Sequence, residues 1–249
     1  MPQLHGISQA AFDLIVREED GSEFYYTRHY EHFDWPAGAS GPTVGIGYDC
    51  GYVTHSELRR DWAGIVSDAT IEALLPAVGL RGERAHAFVR MHRRSVTIPW
   101  NPAIAEFSTR ELPKWIARVK AALPNYDLLS PDSRGALVSL AYNRGSGGFH
   151  DPGARYSEMR AITALMAARD FDKIPDEFLS MRRLWPEGGD LWRRRGDEAA
   201  LFDEGLAKAS EASPSAPTAA QPAAPGGAPV VDQTPSAPPI VPDRNATET

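Results

Sequence analysis

One cysteine in 249 residues, Cys50, leaves no partner for an intrachain disulfide, so stability must come from a packed core. Cys50 stands where a small apolar side chain serves, and packing rather than thiol chemistry is its expected role. Long hydrophobic runs are missing as well, and no stretch of about 18 apolar residues is available to span a membrane. The opening MPQLHGISQAAFDLIVREED has no basic region followed by an apolar segment, which argues against a secretory signal. The expectation is synthesis in the cytoplasm, with another export device if the protein works outside. A basic excess is also lacking. The net charge is −7, which offers no general field for nucleic acid. Local clusters at Arg90-Met91-His92-Arg93-Arg94, Arg182-Arg183 and Arg193-Arg194-Arg195 read as helix surface or ion-pair partners, with an anionic polymer as the secondary reading. His29 and His32 have no further clustered ligand, so neither a metal nor a cofactor is expected. No repeat period, phosphate loop, dinucleotide fingerprint or zinc-protease motif occurs.

Aromatic residues are absent from the last stretch. Residues 211–249 carry nine of the 21 prolines and few large aliphatics. Such a segment buries too little apolar surface to offset the entropy of ordering it, so a disordered Pro/Ala-rich tail is expected. Residues 1–210 remain for a single folded domain, long enough for one core.

Within that domain the pattern is mostly helical. Ser8 is an N-cap, and Ala11, Ile15 and Glu19 follow at i, i+4, so an apolar stripe ends in a carboxylate before the stop at Gly21. Burial of a carboxyl favours its protonated form, which suits a proton donor; the plain alternative is that Glu18, Glu19 and Asp20 form a polar helix end. Residues 22–40, rich in Phe24, Tyr25, Tyr26, Tyr30, Phe33 and Trp35, read as a strand or loop. Thr54-His55-Ser56-Glu57 and Ser108-Thr109-Arg110-Glu111 each read as a capping box opening a helix. Ser130-Pro131 opens the most apolar helix, Gly135 to Tyr142, which runs into Asn143-Arg144-Gly145-Ser146-Gly147-Gly148-Phe149, read as a glycine-rich loop bordering a cleft.

The most unusual stretch is Ser40-Gly41-Pro42-Thr43-Val44-Gly45-Ile46-Gly47-Tyr48-Asp49-Cys50-Gly51. Its four glycines favour a tight β-hairpin with one bare face, beside Thr43 and Asp49. A polymeric substrate fits such a face; a Gly-rich turn with a solvated aspartate fits it too.

Three blocks in order carry a resemblance. They are Leu14-Ile15-Val16-Arg17-Glu18-Glu19, the Thr43-Val44-Gly45-Ile46-Gly47 hairpin with Tyr48-Asp49, and the helical half from Ala136 through Arg193-Arg194-Arg195 to Phe202. Together they resemble phage-type lysozymes (glycoside hydrolase family 24), and more closely the pesticin-like muramidases. The resemblance implies an α+β, mostly α, lysozyme-like fold, with a small N-terminal hairpin lobe and a larger helical lobe across a cleft. It implies Glu19 as the general acid, favoured over Glu18 because Tyr26 lies seven residues on. It implies Asp49 as the carboxylate that orients water, with Asp34 as the lesser candidate, and Thr43 holding that water. Two carboxyl groups about 6.5–9.5 Å apart would make the enzyme inverting. Tyr48, Asn143 and Arg194 are expected to contact substrate, and Arg194 is expected to pair with Glu19. An arginine beside a carboxyl favours its charged form, so acid catalysis there calls for burial or mildly acidic conditions. The implied partner is bacterial peptidoglycan and the implied state a monomer, acting as an endolysin or antibacterial effector. A chitinase- or chitosanase-like glycanase, and an inactive wall-binding or phage structural protein, are the competing readings.

Overall fold

The computed structural model describes residues 2–212; residues 213–249, which hold most of the expected tail, lie outside the described residues. The architecture is α+β and mostly α, with eleven α-helices and one two-stranded antiparallel sheet among the described residues. Helix α1 spans Gln9–Asp20. Ser8 Oγ accepts from the Ala11 N–H at its start, and Gly21 ends it at φ 74°, a conformation that favours glycine.

Helix α2, Glu23–His29, replaces the strand or loop expected for the first part of 22–40. The aromatic run suggested β structure, but Ser22 caps the Tyr25 N–H and Glu23 sits in the first turn, and these local signals favour a helix. Only Tyr26 is buried there, its hydroxyl donating to the Ile98 carbonyl at 2.7 Å, while Phe24 and Tyr25 stay exposed.

Strands β1 (Thr43–Val44) and β2 (Tyr48–Asp49) form the hairpin, pairing Thr43 with Asp49 and Val44 with Tyr48. Asp34 adds a single antiparallel bridge to Thr43 on the other edge. The turn residues Gly45 and Gly47 both have positive φ. The Tyr142 hydroxyl donates to the Ile46 carbonyl at 2.8 Å and ties the hairpin tip to the helical core.

Helix α3, His55–Trp62, opens with the full reciprocal capping box of Thr54 and Glu57. Helices α4 (Asp68–Leu74) and α5 (Glu83–His92) follow. The second expected capping box does not form. Helix α6 (Trp100–Glu106) runs through a π-helical turn, Phe107–Glu111, into α7 (Leu112–Ala122). The chain is already helical before Ser108, so the amides there have backbone partners. The Ser108 and Thr109 hydroxyls instead donate back to the Ala105 carbonyl.

Helix α8, Pro131–Arg144, is the centre of the domain, with Gly135 through Ala141 all buried. It continues two residues past Tyr142, and Ser146–Phe149 is a 3-10 turn rather than an open loop, with Gly148 and Phe149 buried. Helix α1 crosses α8 so closely that a Cβ on Gly135 would collide with Ala11. Helices α9 (Ser157–Ala168), α10 (Ile174–Ser180) and α11 (Asp190–Ala212) complete the set. Helix α11 lies along α8, where Ser133 Oγ donates to the Phe202 carbonyl at 2.9 Å. Glu211 and Ala212, assigned to the tail from sequence, close α11. No helix among the described residues is long and apolar enough to cross a membrane.

Candidate active site

Glu19 and Thr43 line two cavities that share the hairpin as a wall. The larger, about 470 Å3, also meets Asp49, Tyr48, Tyr52, Asp61, Glu111, Lys114, Trp115 and Tyr142. The smaller, about 240 Å3, also meets Asp34, Tyr30, Pro36, Val44 and Gly45. The exposed Gly47 borders both, so the bare hairpin tip does face open space.

Glu19 stands near the C-terminal end of α1, where a carboxylate opposes the helix dipole. A cation answers that charge from far along the chain. Arg194 Nη1 donates to Glu19 Oε1 at 2.7 Å. Arg194 is 2% exposed, and its other donors are spoken for. Nη2 reaches the Ser139 carbonyl at 3.1 Å and its hydroxyl at 3.2 Å, and Nε reaches Glu198 Oε1 at 3.3 Å. Glu198 Oε1 also accepts from Ser139 Oγ at 2.6 Å and Arg195 Nη2 at 2.9 Å. Burial pushes the Glu198 carboxyl up, and the two guanidiniums pull it down. Two carboxylates and two guanidiniums thus balance in a buried network, of which only Glu19 reaches the cavities. Arg194 is therefore placed to position Glu19, and it lines neither cavity.

Asp49 is held by different means. Its carboxylate accepts from the Gly41 N–H at 3.0 Å on both oxygens and from the Gly51 N–H at 2.8 Å. The two glycines are required by this clamp, because a Cβ on Gly41 would strike Asp49 Oδ1 and the Gly51 backbone. Part of the glycine content read as a floor for a ligand thus serves the aspartate. Burial raises the Asp49 carboxyl above the ordinary aspartate range, opposed by the two amides and by the charge of Arg81. Arg81 Nε donates to the Gly51 carbonyl at 2.7 Å, and its guanidinium lies over the Tyr52 ring.

Thr43 Oγ1 donates to the Gly41 carbonyl at 3.3 Å, a long bond that leaves the hydroxyl able to serve a ligand. The carboxylate of Asp34 makes no side-chain hydrogen bond to any described residue, although its backbone pairs with Thr43 in both directions. Glu18 turns to Arg17 and borders a third cavity with Asp190, Arg193 and Asp197, which Glu19 also reaches. Asn143 lies away from both hairpin cavities, its amide oxygen 3.4 Å from Arg195 Nη2. Tyr48 is buried and donates to Asp61 Oδ2 at 3.2 Å; burial first, then the Asp61 charge, raises its hydroxyl so that it stays a donor.

Sequence reasoning did not single out Asp61, Glu111, Lys114 or Trp115. They meet only in three dimensions, Lys114 Nζ reaching Asp61 Oδ2 at 2.8 Å across 53 residues of chain and also bonding Glu111. The capping-box reading of Ser108 to Glu111 hid the one local clue, since it assigned Glu111 to a helix start. Compared with known proteins, the chain matches no family model and no curated protein.

Proposed function

We propose that this protein is a lysozyme-like muramidase that hydrolyses the β-1,4 bond between N-acetylmuramic acid and N-acetylglucosamine in bacterial peptidoglycan. The observation that carries the reading is the lining of one cavity by Glu19, Thr43 and Asp49, with Glu19 fixed by a buried arginine. Glycoside hydrolysis needs two carboxyl groups beside the scissile bond, one to protonate the leaving oxygen and one to activate water. Glu19 takes the first role. Asp49 takes the second: it is held rigidly, and Oδ2, with a single bond at 3.0 Å, keeps a lone pair for a water that Thr43 Oγ1 also meets. Hydrolysis in one displacement, with inversion at the anomeric carbon, follows from a water held between carboxylate and sugar. The Trp115 and Tyr52 rings border the same cavity, each with one face taken by an arginine, Arg118 and Arg81, and the other face available to a pyranose. The lysozyme-like fold, with the hairpin and the helical core on either side of a cleft, belongs to the same proposal.

Asp34 is a second reading for the water-activating carboxylate, favoured by its freedom from the backbone clamp that engages Asp49. The test of the whole proposal is clearing of a purified cell-wall suspension. Glu19→Gln is expected to lower the rate by about 10^2-fold or more, the range for loss of a general acid, without loss of fold by circular dichroism. Clearing at the wild-type rate would overturn the assignment of Glu19. Reducing-end analysis of the soluble products separates muramidase from chitinolytic cleavage, and a protein that binds walls without releasing sugar would be a binding module.

A further inference from the structure

Two carboxylates among the described residues have no exposed surface, Glu198 and Glu106, and their surroundings differ sharply. Glu198 Oε1 collects two guanidinium donors and a serine hydroxyl. Neither oxygen of Glu106 has a hydrogen-bond partner among the described residues. A carboxylate taken out of water with no partner is costly and calls for a cation or a proton.

Glu106 is aimed at other acids. One oxygen of Glu106, one of Asp61 and one of Glu111 all lie within 4.8 Å of one another. That spacing fits oxygens around a single ion with bonds of about 2.0–2.6 Å. The backbone creates the arrangement. In a regular α-helix, residues five apart point about 140° away from each other. The π-turn Phe107–Glu111, in which the Leu112 N–H bonds the Phe107 carbonyl five residues back, widens the helix and turns Glu111 toward the side of Glu106. Asp61 arrives from α3 and is 1% exposed. Asp61 and Glu111 line the 470 Å3 cavity, which gives an ion a path from solvent.

The charges do not balance. Three carboxylates face Lys114, whose ammonium bonds Asp61 and Glu111 but not Glu106. Arg60 touches Asp61 Oδ1 from an exposed position at the rim. When ionised, the three carboxylates exceed Lys114 and the rim Arg60 together by one negative charge, and an ion that displaces Lys114 meets a net charge of −2. An all-carboxylate set is hard and selects Mg2+, Mn2+ or Ca2+ over thiophilic metals. Lys114 is a third exposed and has the flexible stem to swing into the cavity when an ion enters.

We propose that Asp61, Glu106 and Glu111 form a binding site for a hard divalent cation on the cavity wall, with Lys114 as its competitor. This site does not depend on the glycan-cleaving reading. The test titrates Mn2+, Mg2+, Ca2+ and Zn2+ into the full chain by calorimetry, with the free-Mn2+ electron paramagnetic resonance signal as a second readout. One equivalent of Mn2+ or Ca2+ is expected to bind, with Zn2+ no better than either. Glu106→Gln, which keeps the volume, is expected to weaken binding at least tenfold. Lys114→Met is expected to tighten it several-fold, and this sign test stands even if the Glu106 variant fails to fold. Absence of stoichiometric binding at millimolar ion in both the wild type and Lys114→Met would overturn the proposal, leaving Glu106 as a protonated acid. Binding that ignores Glu106→Gln, or that weakens in Lys114→Met, would overturn it equally.

Discussion

Glu19 and Asp49 border the same cavity, yet they are held by opposite means. Glu19 is held by a charge from α11, a guanidinium buried among Ser139 and Glu198 and 175 residues away in sequence. Asp49 is held by neutral amides of its own turn, from residues eight before and two after it. A charged partner fixes a side chain only as long as the whole helical core is in place. A backbone clamp fixes it wherever the turn forms. The acid side of the cavity therefore depends on tertiary packing and the hairpin side on local geometry, so the two should fail differently.

The largest difference is expected for Arg194→Met. It leaves Glu19 and Glu198 short of a partner in a buried site, a loss of about 3–5 kcal/mol for breaking a buried pair. Thermal unfolding should show a large drop in Tm together with loss of wall clearing. A cost within about 1 kcal/mol would mean that Glu19 is positioned by something other than this arginine. A smaller cost is expected on the hairpin side. Asp49→Asn turns one acceptor oxygen into a donor facing the Gly41 N–H, at about 1–3 kcal/mol. Asp34→Asn disturbs no side-chain bond and should stay within about 0.5 kcal/mol. Clearing rates of the two variants, measured well below their melting temperatures, then assign the water-activating role. Activity that survives in Asp49→Asn and disappears in Asp34→Asn would transfer that role to Asp34.

The smallest effect concerns pH. Burial raises the Asp49 carboxyl and the Arg81 charge lowers it. In Arg81→Gln the carboxylate loses that support and keeps its proton to higher pH, so the acidic limb of the clearing-rate profile should move upward. An unmoved limb would show that Asp49 does not set it. The linked stability has the same sign. A carboxyl raised on folding binds its proton more tightly in the native state, so its contribution is lost as pH rises through the raised value.

Features specified by neighbouring residues were legible in the sequence. The Ser8 and Ser130 caps, the Thr54–Glu57 box and the hairpin turn each depend on a few adjacent side chains, and each forms. Two local readings failed where two signals competed. The aromatic run at 24–26 outweighed Ser22 and Glu23 in the reading of α2, and Ser108 to Glu111 carries a cap pattern inside a helix already under way. The Asp49 clamp was readable in principle from Gly41 and Gly51, but a glycine beside a carboxylate also suits an open turn. The Asp61–Lys114–Glu111 group left no local trace, because its members meet only after α3 packs against the π-turn. Glu19 and Arg194 share no periodicity that links residues so far apart, and their pairing was expected through family resemblance alone.

The contact between Ala11 and Gly135 works as a fulcrum for the cavity. Helix α1 rests on α8 at the point where a glycine has no side chain, and Glu19 extends eight residues beyond it, about 12 Å along the axis. A single methyl group at Gly135 would overlap Ala11, so the two helices must separate there, at the base of the helix that carries the carboxylate. The close approach that seats the acid's helix thus lies at a position that lines neither cavity.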